Sequence, residues 1–317
     1  MKHIRIAVLM DDIANIKPSK DSSFAMMLEA TSRGWEIYTF DSNDMSASHG
    51  GVFANASKTS VTDRLEGWFV KQPSERVPLS GFDVILMRKD PPFDMDYIYA
   101  TYLLEQAEMS GVVVVNKPQS LRDANEKLFA LNFPQCIPKT LVSTSSMQIK
   151  GFIEEQQVVV VKPLDGMGGK DIYKLTHKDK DIDKVISLMT INGNRQIMAQ
   201  EFLEDISKGD KRILLIDGKP VDFALARIPA KGSFKGNLAA GAKGIGQPLS
   251  DRDRYLCGQV SQTIKDMGLL FVGLDVIGDY ITEINVTSPT CIRELDDQFN
   301  LNIAAELFDI IEQRIGT

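Results

Sequence analysis

The sequence predicts an α/β protein, an open parallel-sheet domain followed by a mixed α+β region in two lobes. Three observations predict it. Residues 1–120 alternate short apolar runs with helix-like segments, and unbroken apolar strands mark a parallel sheet buried on both faces. After Arg122 the order changes to strands joined by turns, with helices between them. The 317 residues, 43% hydrophobic and 25% charged, are enough for more than one core and too apolar for disorder.

Each element has a local reason. Ile4 to Met10 is β-branched and apolar and ends at Asp11-Asp12, as a buried strand does when it delivers a loop to a carboxyl-end crevice. Asp21 or Ser22 would cap the helix SSFAMMLEATSRG, with Phe24, Met27 and Leu28 on one face and Gly34 as its stop. WEIYTF reads as the second strand. Residues 41–78, polar and rich in Gly and Ser, predict a long loop or irregular hairpins. FDVILM resumes the sheet, RKDPPFD interrupts it with two prolines, and the helix YIYATYLLEQAEMSG leads to the strand VVVVN. The second region predicts a helix over NEKLFALNF, a strand in PKTLVS, another helix, and a hairpin over QVVVVKPLDGMGGKDIYKL. Beyond about Gln200 come the strands RILLID, FVGLDVI and YITEIN, a Gly/Ala/Lys-rich stretch and two amphipathic helices. Domain limits at 1–121, 122–199 and 200–317 follow.

Charge and cysteine usage exclude several classes. Lys plus Arg number 36 against 43 Asp plus Glu, a formal charge of -7, so there is no cation excess for a nucleic-acid backbone. Cys136, Cys257 and Cys291 are odd in number and lack any CxxC spacing, which predicts free thiols in a cytoplasmic protein. The apolar run after MKHIR is cut short by acids, too early for a signal-peptide core, and no run approaches the roughly 18 residues of a membrane span.

Four constellations could carry chemistry. Lys162 feeds a turn holding Gly166, Gly168 and Gly169, where backbone N–H groups could cradle phosphate oxygens. It is no Walker A loop, which would need Gly at Leu164 and Ser or Thr at Asp171, and no GxGxxG follows the first strand. Asp275 lies on one apolar strand, while Glu283 and Asn285, two apart on the next, share its face across a Gly278-Asp279 turn. Hard oxygen donors without His or Cys suit Mg²⁺, and carboxylates in apolar strands need a counter-charge or a metal. Arg88, Arg212 and Arg227 could each fork onto carboxylate or phosphate oxygens. Residues 228–244, with Lys231, Lys235 and Lys243 among small residues, read as a closing lid or a plain flexible loop. Together these features specify nucleotide-dependent chemistry without a P-loop.

KDSSFAMMLEA, VILMRKDPPFD, NKPQSLRDANEKLF, KPLDGMGG, RIPAKGSFKGNLAAG and FVGLDVIGDYITEINVTSPT closely resemble stretches of bacterial glutathione synthetases, ATP-grasp carboxylate–amine ligases. The resemblance implies a pre-ATP-grasp substrate domain before a two-lobed ATP-grasp domain, and ATP-driven joining of γ-glutamylcysteine to glycine through an acyl phosphate. It implies ATP contacts at Lys127, Lys162, Gly166, Met167, Gly168 and Gly169, with an adenine hinge at Gln200, Glu201, Phe202 and Leu203 and Asp210 near the ribose. It places Mg²⁺ or Mn²⁺ on Asp275, Glu283 and Asn285, and Arg212 and Arg227 at the γ-phosphate and reacting carboxylate. Asn15, Ser23, Arg88, Lys235, Asn237 and Ser288 would face the substrate, in a cytoplasmic homotetramer. The family often has arginine where this chain has Lys235 and Lys243, which keeps the charge and loses the fork. A sister ligase joining another acid to another amine, a non-catalytic nucleotide binder, and a plain α/β structural protein, which would leave the apolar-strand carboxylates unexplained, are the alternatives.

Overall fold

The computed structural model describes residues 3–166, 168–236, 238 and 241–316. The first sheet is built from β1 (Arg5–Leu9), α1 (Ser22–Ser32), β2 (Glu36–Phe40), β3 (Met45–Ser48), β4 (Gly51–Val61), β5 (Phe69–Lys71), β6 (Glu75–Pro78), β7 (Val84–Met87), α2 (Met95–Met109) and β8 (Val113–Val115). Strands β2-β1-β7-β8 run parallel, and β4 joins the β2 edge antiparallel while pairing with β3, β5 and β6. Asp21 caps α1, its carboxylate accepting from Phe24 N at 2.6 Å.

Residues 41–78 therefore differ from the expected loop. The eleven-residue β4 organises them, with Val52, Ala54 and Ala56 buried on one face. Its alternation is carried by Ala, Ser and Thr, whose hydropathies differ too little to show a period of two. The buried Thr39 and Thr59 hydroxyls pair at 2.8 Å across β2 and β4.

α3 (Pro118–Asp123) then leads to a second sheet made of β9 (Thr140–Ser143), α4 (Ser146–Gln156), β10 (Val158–Pro163), β11 (Tyr173–Thr176), α5 (Ile182–Met189) and β12 (Ile197–Glu201), in antiparallel order β11-β10-β12-β9. The helix expected over NEKLFALNF is instead a single 3₁₀ turn at Phe129–Asn132. The Asn125 carboxamide accepts from Lys127 N and Leu128 N, which bends the chain tightly while Phe129 and Phe133 pack edge to face.

The third sheet holds β13 (Asp210–Ile216), β14 (Lys219–Ile228), β15 (Lys243–Pro248), α6 (Asp251–Asp266), β16 (Phe271–Ile277) and β17 (Tyr280–Asn285), followed by α7 (Ile292–Phe299) and α8 (Ile303–Ile315). Its order is β15-β14-β13-β16-β17, all antiparallel. Three helices form here where two were expected. α8 returns to the first sheet, where Phe308 packs on Trp35 at 5.0 Å and Arg33 pairs with Asp309 and Glu312. Buried Asn116, just past β8, locks that sheet to the third: its amide donates to Phe271 O and Val286 O and accepts from Phe271 N, at 2.7–2.9 Å.

Candidate active site

A cleft of about 1070 Å³ lies between the second and third sheets. One end is apolar, walled by Val160, Ile172, Phe202, Leu203, Ile206 and Ile277, with Gln200 and Glu201 beside them. Lys174 Nζ lies 3.6 Å over the Phe202 ring and Phe234 meets its edge. The other end gathers the charges: Lys127, Lys162, Asp210, Arg212, Arg227, Asp275 and Glu283. An apolar slot opening onto a cationic floor has the form of a site for a flat base joined to phosphates.

The glycine turn after β10 forms the rim, with Gly166, Gly168 and Gly169 on the cleft. Gly168 and Gly169 have φ of +67° and +76°, and a Cβ on Gly166 would fall 2.7 Å from Pro163 Cγ, so a side chain at these positions would be strained. Lys127 Nζ donates to Gly166 O at 2.8 Å and Asn125 Nδ2 to Leu164 O at 3.1 Å, anchoring the turn. Met167 lies outside the described residues.

Two ion clusters line the charged end. Asp275, on β16, is gripped by Arg212 (2.6 Å) and Arg227 (3.0 Å). Burial opposes its ionisation, but the two guanidiniums hold its carboxyl well below the usual range. Arg227 also donates to Asp210 at 2.6 Å. Burial pushes the Asp210 carboxyl up to about 7 against the pull of Arg227, and the Asp275 charge adds to the push. Its Oδ1 is buried with no hydrogen-bond partner, an acceptor left over in the cleft wall. Glu283 faces Lys162 (3.3 Å) and Lys127 (3.7 Å), whose charges outweigh burial and lower its carboxyl. Burial lowers Lys162 in turn.

Asp275 and Glu283 stand opposite in the β16/β17 register, and Asn285 follows two residues on. The Asn285 Nδ2 donates to Gly273 O at 3.2 Å, leaving its carbonyl oxygen as the free donor atom. Among the described residues no cluster of three or more His, Cys, Asp or Glu could hold a metal alone. Two carboxylates and an amide oxygen in a phosphate-shaped cleft still match Mg²⁺, which takes few protein ligands and completes its shell with phosphates and water. The donor set fits the ion.

A second cleft of about 1080 Å³ adjoins the first and shares Glu126, Gly168, Arg212, Arg227 and Asn285 with it. It carries Lys17, Lys20, Asp90, Ser288, Cys291 and Glu294. The loop between β14 and β15 reaches both: Phe234, Lys235 and Gly236 border the first cleft and Leu238 the second. Asn237, and with it Ala239 and Ala240 of the expected lid, lie outside the described residues.

The other expected substrate residues separate. Ser288 lines the second cleft, while Lys235 borders the first. Arg88 and Ser23 are buried behind the wall, where Arg88 donates to Ser23 Oγ and to Pro289 O, both at 2.9 Å. Asn15 is exposed at the end of a 3₁₀ turn and lines neither cleft. Glu126 escaped the sequence reading although it adjoins Lys127. Its Oε1 accepts from Val286 N, Thr287 N and Thr287 Oγ1 at 2.7–3.1 Å and so fixes the turn after Asn285.

Comparison with solved structures identifies the fold. A D-cycloserine synthetase, DcsG, aligns at TM-score 0.69 and 14% identity, covering 98% of this chain and 99% of that one. The ATP-grasp ligase PsnB, complexed with minimal precursor, Mg and ADP, aligns at 0.61 and 17%, covering 99% and 98%. The fold is that of the ATP-grasp ligases, which use ATP with divalent metal ions.

The particular family follows from sequence. The prokaryotic glutathione synthetase N-terminal domain model matches residues 4–122 and its ATP-grasp domain model residues 126–300. Glutathione synthetase from Vibrio vulnificus is 50% identical over 312 residues, 98% of each chain, and that from Coxiella burnetii 51% over 315 residues, 99% of this chain and 98% of that one. The chain belongs to the prokaryotic glutathione synthetase family.

Proposed function

We propose that the chain ligates γ-L-glutamyl-L-cysteine to glycine with conversion of ATP to ADP and phosphate, the second step of glutathione biosynthesis. The observation that carries the reading is the shared wall: Arg212 and Arg227 face a nucleotide-shaped cleft on one side and a second, polar cleft on the other. A carboxylate is a poor electrophile until one of its oxygens becomes a leaving group. In the first step the cysteinyl carboxylate attacks the γ-phosphorus, the bond to ADP breaks, and an acyl phosphate forms. The glycine amine then attacks the acyl carbon, loses a proton and expels phosphate.

Lys127 and Lys162 bind the nucleotide phosphates, beside backbone amides of the Gly166–Gly169 turn, and Gln200, Glu201, Phe202 and Leu203 hold the adenine. Arg212 and Arg227 stabilise the transferred phosphoryl group and the tetrahedral oxyanion. Asp275, Glu283 and Asn285 hold Mg²⁺, or Mn²⁺ in its place. Bound there, the ion offsets charge on the triphosphate. The β14–β15 loop closes over both clefts and keeps water from the acyl phosphate. Burial raises the Cys291 thiol, which keeps it protonated and unsuited to nucleophilic attack.

The same reading assigns substrate binding to residues 1–121, the phosphate turn to 122–199 and the metal site to 200–317. It places the chain in the cytoplasm as a homotetramer with no nucleic-acid or membrane partner. Among the described residues no helix is long and apolar enough to cross a membrane. Exposed Met95, Tyr99, Tyr102 and Met109 lie on one face of α2, an apolar stripe suited to a second copy.

ADP release by the purified chain with Mg²⁺ and ATP tests the activity. Release should require γ-glutamylcysteine and glycine together. Release with D-alanine alone, or none under any condition, would overturn the proposal.

A further inference from the structure

The second cleft holds a carboxylate that the chemistry above does not use. Glu294 lies in the first turn of α7, beside the Cys291 cap. Its Oε2 is buried and has no hydrogen-bond partner. A buried polar oxygen left unmatched costs stability, so native structures keep few without a reason. Of the other acids on this cleft, Asp90 is exposed and Glu126 already accepts from Val286 and Thr287. Asp275 and Asp210 already hold arginines. Among the described residues Asp210 also leaves an oxygen unmatched, but it belongs to the first cleft and its other oxygen holds Arg227; on the second cleft Glu294 is the carboxylate with a buried oxygen awaiting a donor.

A cation stands near it. Lys20, in the turn before α1, is exposed, borders the same cleft and acts electrostatically on Glu294. Among the described residues it makes no ion pair within 4.0 Å. An acceptor and an ammonium on one cleft match a ligand carrying a positive donor and a negative acceptor on the same carbon. That is the α-ammonium and α-carboxylate of an amino acid.

We propose that Glu294 and Lys20 clamp the α-amino-acid head of the glutamyl residue and so select a γ-linked dipeptide. The inference rests on the dipeptide reading above. The cysteinyl carboxylate must reach Arg212 and Arg227, on the wall shared with the first cleft. The zwitterionic head then occupies the part of the cleft where Glu294 and Lys20 wait. In an α-linked glutamylcysteine the ammonium and the free carboxylate are separated by three carbons, and one clamp cannot grip both.

The test compares the full-length parent with Glu294→Gln on γ-glutamylcysteine and on 4-carboxybutanoyl-cysteine, which lacks only the α-amino group. A charge-assisted hydrogen bond is worth roughly 1.5–3 kcal/mol, so KM for γ-glutamylcysteine should rise about 10- to 150-fold. KM for the deaminated substrate should move less than about twofold, as should KM for glycine and ATP. Lys20→Met, at an exposed position, should raise KM for γ-glutamylcysteine and leave 4-aminobutanoyl-cysteine, which lacks the α-carboxylate, unaffected. Equal losses on both substrates of either pair, an unchanged KM, or a rise confined to glycine would overturn the clamp. Failure of the parent itself to turn over γ-glutamylcysteine and glycine would instead defeat the dipeptide reading.

Discussion

Asp275→Asn should weaken the fold as well as stop turnover, and the two effects separate by ligand. The substitution keeps the shape of the side chain and removes the one charge that Arg212 and Arg227 share at 2.6 and 3.0 Å. Both guanidiniums are buried, and Arg227 keeps only Asp210, whose carboxyl is itself pushed up to about 7 by burial. Breaking a buried pair by removing one partner costs about 3–5 kcal/mol. With an unfolding entropy of about 2.1 cal/mol/K per residue, a chain of 317 residues loses about 4–8 °C of melting temperature. Differential scanning calorimetry of parent and variant with a chelator present would read it. Adding ATP without metal supplies anions to the stranded arginines, so its stabilising shift should be larger in the variant than in the parent. Turnover should be lost with Mg²⁺ present. A variant melting within about 1 °C of the parent, or gaining no more from ATP, would refute the compensation argument; unchanged turnover would refute the metal assignment.

Two further outcomes are expected. Asp210 is protonated in both folded and unfolded chains below its ordinary 3.8; between there and about 7 the unfolded chain ionises first, so this group lowers stability as pH rises through that window and no further above it. Asp210→Asn removes that slope, so calorimetry from pH 4 to 8 should show the variant gaining on the parent, by an amount on the order of a few kcal/mol, up to pH 7 and holding level beyond; a difference independent of pH would contradict it. If the α2 stripe of Met95, Tyr99, Tyr102 and Met109 is an interface, sedimentation velocity should find a tetramer for the parent and a smaller species for Tyr99→Glu with Met109→Glu, and an unchanged mass would remove that surface from consideration.

What could be read ahead of the structure depended on whether a signal was local. β1 and β7 were plain because every residue of VILM, and nearly all of RIAVL, is buried on both faces of a parallel sheet. Asp275 and Glu283 stood out because a carboxylate in an apolar strand demands a partner, whatever that partner is. β4 was invisible because small residues hide its alternation. Arg88 and Ser23 show the opposite limit: their types suit a substrate, but they are used on each other and on Pro289. Glu294 carries no mark in the sequence at all, since what distinguishes it is an oxygen with nothing opposite.

The two carboxylates assigned to the metal are, without nucleotide, the counter-charges for four cations. Asp275 holds Arg212 and Arg227, and Glu283 holds Lys162 and Lys127. An unpaired buried charge of either sign costs several kcal/mol, so the pairing keeps the cations proposed to bind phosphate aimed at the cleft before any phosphate arrives. A divalent ion arriving alone would have to displace cations from carboxylates that are already neutralised. Arriving on a triphosphate, it would come with anions that draw the lysines and arginines away, leaving Asp275 and Glu283 free to hold it. Under the proposed function, metal and nucleotide would therefore favour one another in this site, and the same exchange of partners would move Arg212 and Arg227 from a resting ion pair to the charge that develops in the reaction.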